Sequence, residues 1–428
     1  MMRMVPRLKL SLPLLVLFAL PLPAQNNNQD SGVRFVFNNR PSFRFGKVLR
    51  VDFRIKSQGD FRAFSPDLVT DEGEFDFQRM RIGVEGNILD ELEYQVEHEL
   101  REYFWSGRPS KDRWRDVFVN FRYFRNFQVQ IGKFKAPFSM EQLTGAHNLD
   151  FVLRSRIADN LAPGRAVGIS VHGRFFNRGL NYEFGAFRTD GEDENAESVD
   201  AESRGQRMYA ARVTAKPLRL VAAGPLKDIE LGAAATSGGI PEGLNGLRGK
   251  TASDETFFPR IYVQGTRFRL GTELNWTTGP FSLKGEFMHT RDQRENQSIR
   301  ETDLPELIAR GWYLTGTWAI TGEPKADGVE PRRPLFAGGM GAIELTGRYE
   351  QLRFNSSQHT ALPSRNPRAA NILANSDRIW TVGVNWYPNR FTKVQVNGVH
   401  DKIKDLQRSP ILDRENYWMG ILRLQFVM

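Results

Sequence analysis

The chain of 428 residues contains no cysteine, so no disulfide holds it and no thiolate serves as nucleophile or metal ligand. Its six histidines are scattered, without metal-ligand spacing and without a serine or cysteine nucleophile constellation beside them. Nothing in the chain therefore points to an enzyme, a metal or a cofactor. After Gln25 charged residues interrupt every apolar run, and none approaches the ~20 residues of a membrane-spanning helix. The earlier run, Leu10 to Leu20, follows Arg3, Arg7 and Lys9 and precedes Leu22-Pro23-Ala24, the pattern of a cleaved secretory signal over 1–24. Its loss takes three cations from a formal charge of +9, leaving an excess too modest to indicate nucleic acid.

What is present is alternation. From Gly265 to His289 two segments flank Thr277-Thr278-Gly279-Pro280, with Phe268, Leu270, Leu274 and Trp276 on one face and Arg267, Arg269 and Glu273 on the other. Similar segments recur near 43–56, 75–86, 92–104, 114–124, 127–134, 165–174, 180–188 and 206–215. The second half adds 229–236, 265–276, 281–290, 311–320, 341–354, 378–387, 391–401 and 416–427, about sixteen strands in all. Connections after odd-numbered strands are long and polar (57–74, 135–164, 189–205, 237–264, 355–377), and most of the others are short. That asymmetry predicts an all-β, transmembrane antiparallel barrel over 43–428, with a lead-in at 25–42. The stretch 321–340 departs from it, being long and proline-rich on the short-turn side.

Two strands support a lipid-facing band. Trp312, Leu314, Gly316 and Trp318 share a face, as do Trp380, Val382, Val384 and Trp386. Indoles six residues apart stand roughly 20 Å apart, which suits an aromatic girdle at each membrane edge. The chain ends on a strand with Phe426 on that face, although its last residue is Met428. A secreted β-rich binding protein gives no reason for such sorting of tryptophans. A barrel hydrolase needs a serine–histidine pair on one wall, and no such spacing is evident.

The opposite faces then line a pore. Arg50, Arg54, Arg79, Arg81 and Arg348 point inward, and the row Glu93, Gln95, Glu97, Glu99 lies beside them. The residues alone favour charges that pair across strands and keep the channel wet; a cationic track attracting anions is the sharper alternative. The connection 135–164 carries Lys135, Arg154 and Arg156 among apolar anchors Phe138, Leu143 and Phe151, so it is expected to fold into the lumen as a constriction. Gly246-Leu247-Arg248-Gly249-Lys250-Thr251 lacks the first glycine of a phosphate-binding loop, and Asp190 to Glu202 lacks ordered calcium-ligand spacing.

The run Gly132-Lys133-Phe134-Lys135-Ala136-Pro137-Phe138-Ser139-Met140-Glu141 resembles the segment leading into the constriction loop of the phosphate-selective porin O and P family. Arg79 to Gly86, Gly341 to Tyr349 and Val382 to Tyr387 are similar to its second and late strands. The resemblance implies a sixteen-stranded, homotrimeric channel in the bacterial outer membrane, amid lipid and lipopolysaccharide, with an inward third loop. It implies passive diffusion of small hydrophilic solutes with a mild preference for small anions such as phosphate; a general, non-selective pore is the alternative. Pore-lining residues on this reading are Arg50, Arg54, Arg79, Arg81, Arg348, Lys135, Arg154 and Arg156. The tyrosine- and threonine-bearing loop of the phosphate-specific members has no counterpart in the sequence of 237–264.

Overall fold

The computed structural model describes residues 32–65, 75–101, 113–188, 206–220, 224–326, 328–358, 362–369 and 371–428. The expected signal at 1–24, residues 25–31 of the lead-in and the acidic run Asp190 to Glu202 lie outside them. A hairpin of β1 (Val33–Phe37) and β2 (Pro41–Phe45) precedes the wall. The first half of the wall is β3 (Leu49–Ser65), β4 (Phe75–Ile88), β5 (Leu92–Glu99), β6 (Trp114–Phe124), β7 (Phe127–Lys135), β8 (Arg165–Phe175), β9 (Leu180–Arg188) and β10 (Arg207–Ala215). A small hairpin, β12 (Gly249–Lys250) with β13 (Thr256–Phe258), follows β11 (Glu230–Gly243). The wall continues through β14 (Val263–Thr278), β15 (Phe281–Asp292), β16 (Leu307–Ala319), β17 (Ala342–Ser356), β18 (Asn375–Asn389), β19 (Thr392–Ile403) and β20 (Asn416–Val427). Among the described residues no helix is long and apolar enough to cross a membrane.

Sixteen antiparallel strands close on themselves when β20 pairs with β3, from Trp418↔Ser65 to Val427↔Lys56. Closure leaves every wall strand a partner on both sides, which is what a sheet needs where no water can satisfy its backbone. The faces are inverted relative to a soluble protein. Phe53, Ile82, Ile131, Leu314, Val382 and Leu424 are exposed, whereas Asp52, Glu97, Glu286, Glu344, Arg348 and Arg423 are buried. Such burial of charge beneath exposed aliphatic groups is stable only if lipid covers the outside. The girdles follow from the sequence spacing. Trp312, Tyr349 and Trp380 touch in a row, with centroids 5.3 and 4.5 Å apart, and on the other rim Phe281 stacks on Trp318 at 5.7 Å.

Two expectations need correction at their ends. The segment 43–56 is broken at Gly46, whose φ of 56° belongs to a turn, so residues 41–45 join the small hairpin instead. The wall strand then runs on to Ser65, well into the expected loop 57–74. Ser57 and Gly59 erase the apolar signal on its outer face there, and pairing with β20 holds the strand regardless. The strand expected at 229–236 likewise extends to Gly243.

Candidate pore and constriction

The connection from β7 to β8 folds into the barrel. Its two short helices, Met140–Leu143 and Arg156–Leu161, are each capped by a serine: Ser139 accepts from the Gln142 N–H and Ser155 from the Ala158 N–H. Phe138, Ile157, Ala158 and Leu161 are buried with Met288, Tyr313 and Leu352 of the wall and with Phe257 and Phe258 of the β12–β13 loop. Phe258 stacks on Phe354 at 4.4 Å, so the second loop also lies inside. Burial of that many apolar groups within a polar lumen is the driving force that seats both loops.

Polar side chains of the wall fix the register. The Glu286 carboxylate accepts from Ser139 Oγ–H (3.1 Å), Met140 N–H (2.7 Å), Glu141 N–H (3.1 Å) and Tyr313 O–H (2.8 Å). The loop's carbonyls are met by cations and amides: Arg423 donates to Val152 O (2.7 Å), Lys393 to Leu149 O (2.7 Å) and Asn385 to Asp150 O (2.8 Å). Irregular backbone at membrane depth is tolerable only when satisfied in this way.

The exceptional stretch 321–340 now has a physical account. Its Lys325 is buried and donates to Asp150 of the loop (2.6 Å), Thr317 (2.7 Å) and Glu344 (2.5 Å). Lys284 reaches the other Asp150 oxygen at 2.9 Å. Burial alone would raise the Asp150 carboxyl, and the two lysines override it and hold it below its ordinary range. Thus a long turn on the short-turn rim braces the loop from beneath.

With the loop seated on β14–β20, an open space is left along β3–β9. It is a cavity of about 590 Å³ whose lining includes Arg54, Lys56, Arg79, Arg81, Arg165 and His147. Many of its cations are paired: Lys56 with Glu97 (2.5 Å), Arg81 with Glu99 (2.6 Å), Arg165 with Asp116 (2.9 Å), and Arg54 with Glu85. Three lining cations have no carboxylate partner among the described residues. Arg79 donates to the neutral Gln58 (2.8 Å), and Lys135 donates only to the carbonyls of Gln142, Leu143 and Thr144 (2.5, 3.3 and 3.1 Å). Arg154 is held by the carbonyls of Glu141 and Thr144. Burial lowers the Arg154 pKa against the opposing pull of Glu141 and Asp159.

Of the residues expected to line the pore, Arg54, Arg79, Arg81, Lys135 and Arg154 surround this cavity. Arg50 is placed elsewhere, paired with Asp52 near the start of β3. Arg348 points inward but lies beneath the loop, 4.5 Å over the Phe151 ring and 3.1 Å from the carboxylates of Glu141 and Glu350. Arg156 is also buried, its N–H on Glu350 at 2.5 Å and its guanidinium near Thr251 O and Asp159. Alternation correctly turns Arg348 inward, but cannot say which half of the lumen the loop will cover. Leu143, expected as an anchor, lines the passage instead. Arg101, Arg115, Asp116 and His147 line the cavity as well, and the inward phase of β6 is a sequence signal for Asp116.

A closed barrel with a lumen loop and a girdled exterior defines an outer-membrane diffusion channel. The chain matches the family model described as phosphate-selective porin O and P over residues 50–427, and it belongs to that family of outer-membrane porins. No curated protein matches it. Among solved structures it is similar to an anion-selective porin from Comamonas acidovorans, at 14% identity and TM-score 0.53, covering 89% of this chain and 100% of that one. It is similar also to OmpT of Vibrio cholerae in a trimer form (13%, TM-score 0.53, 89% and 100%) and to OprB of Pseudomonas putida (9%, TM-score 0.54, 89% and 94%). At these identities the solved structures speak to the fold.

Proposed function

We propose that the protein passes small hydrophilic solutes down their gradient with a mild preference for anions such as phosphate. The observation that carries the preference is the set Arg79, Lys135 and Arg154, three cations on one cavity without a carboxylate partner among the described residues. A half-buried cation whose hydrogen bonds go to neutral groups lowers the cost of an anion leaving water beside it. The paired cations, by contrast, keep the wall wet and favour neither sign strongly, and they support the second reading, a non-selective pore. No step of passage requires a catalytic residue. On the same reading residues 1–24 are a cleaved signal and the channel is a homotrimer, as OmpT is described in one of its forms.

Reversal potentials in a potassium chloride gradient across a planar bilayer test the preference. The expected result favours chloride, with phosphate reducing chloride current at millimolar concentration. A potential favouring potassium rejects it.

A further inference from the structure

Close to the short-turn rim, the outer surface of β14–β17 carries a groove of about 590 Å³, walled chiefly by Trp276, Phe281, Leu283, Trp318 and Leu345. Its floor includes Gly316 and Gly347, which face each other in register. A Cβ at either position would meet nothing within 4 Å, so among the described residues no neighbour requires a glycine there. The walls are held in place. The Trp276 indole donates to Pro225 O at 3.0 Å, and Phe281 and Trp318 stack nearly parallel. The groove is therefore preformed, and its size falls within the range of about 300–1,000 Å³ usual for small-molecule sites.

We propose that this groove seats one acyl chain of an anionic phospholipid from the periplasmic leaflet. Two observations select that occupant. The groove is continuous with the lipid-facing band, and its predominantly apolar lining offers a polar molecule little in exchange for lost hydration. Just below it, the turn between β16 and β17 exposes Arg332 and Arg333 together with Phe336 and Met340. The Arg333 carbonyl accepts from Gly341 N–H at 3.0 Å, which fixes that residue at the foot of β17. Leu345 stands three residues up that strand from Ala342, so roughly 10 Å separates the strand's foot from the groove wall. Trp386 donates to Met340 O at 2.7 Å and holds the turn at girdle level. Basic and apolar side chains together at an interface are the combination that retains anionic lipid.

The test is native mass spectrometry of the purified channel after exchange into nanodiscs of mixed phosphatidylglycerol and phosphatidylcholine. One tightly retained phosphatidylglycerol per barrel is expected. The double variant Gly316→Val with Gly347→Leu fills the floor and should lose that lipid while single-channel conductance stays the same. Arg332→Ala with Arg333→Ala should reduce the preference for phosphatidylglycerol severalfold and leave the groove intact. Undiminished retention in the filled variant overturns the proposal, as does dissociation of an oligomer by that variant, which would assign the groove to a second copy of the chain. The arginine variant decides alone should the filled variant fail to insert, because an unchanged lipid preference in it is also fatal.

Discussion

The two halves of the barrel interior obey the same alternation and do different work. Along β14–β20, inward charges such as Glu286, Arg348, Lys393 and Arg423 are spent on loop backbone and loop carboxylates. Along β3–β9 the inward charges pair with one another or face an open cavity. An arginine on a pore wall is thus a structural tie or a conduction residue according to what the loop covers. Arg348 and Arg79 are the cleanest contrast, both turned inward and only one of them reachable by a solute.

Breaking the brace should have the largest effect. Lys325→Met leaves Asp150 and Glu344 without their shared cation, a loss of about 3–5 kcal/mol for a buried pair broken on one side. The expected outcome is a larger, noisier single-channel conductance and a lower thermal midpoint. A quiet channel of normal size would show that Lys284 alone holds Asp150.

Next comes the contrast between the halves. Arg79→Ala with Arg154→Ala should cut the chloride-to-potassium permeability ratio by a factor of about thirty, since an ion at contact distance loses ~1 kcal/mol per charge removed, or ~2 kcal/mol for the two. Arg348→Gln should leave that ratio near its starting value and instead weaken the seating of the loop, visible as faster proteolysis after Leu153. If Arg348→Gln shifts the ratio as much as the double variant, the division of the lumen is wrong.

The smallest effect concerns acidity. Burial, reinforced by Lys56, Arg54 and Lys393, lowers His147 to about 3, so its ring stays neutral in the seated loop. A released loop would titrate near 6.5 and bind a proton that the seated one refuses. Seating therefore weakens progressively as pH falls from about 6.5 toward 3 and is fully favoured above that window. Channel noise should rise between pH 7 and pH 4, and His147→Gln should flatten the rise.

Much of this architecture was legible because a barrel wall repeats one simple rule. Phe53, Ile55 and Ile82 face lipid and Arg79 and Glu97 face the lumen, as period-two patterning requires. The rule failed where small polar residues blurred the outer face, at Ser57 to Gly59, and where a turn interrupted a uniform pattern at Gly46. The constriction was legible as an apolar loop with nowhere else to pack, through Phe138 and Phe151. Its register was not, because Arg154 and Arg156 stand only two residues apart, yet the first lines the cavity and the second is buried against Glu350. The turn at 321–340 remained opaque because the bracing role of Lys325 depends on Asp150, 175 residues away in the chain.

Those distant partners also set an order of events. The loop at 136–164 is made early in the chain, whereas Glu286, Lys325, Asn385, Asn397 and Arg423 follow it by between 145 and 271 residues. Contacts of such sequence separation form late, after the ends of a long chain have been brought together. The passage accordingly narrows as one of the last acts of assembly. A sheet with β15–β20 still unplaced would remain open, since closure needs β20 beside β3, so the same ties that shape the pore form only as the wall is completed.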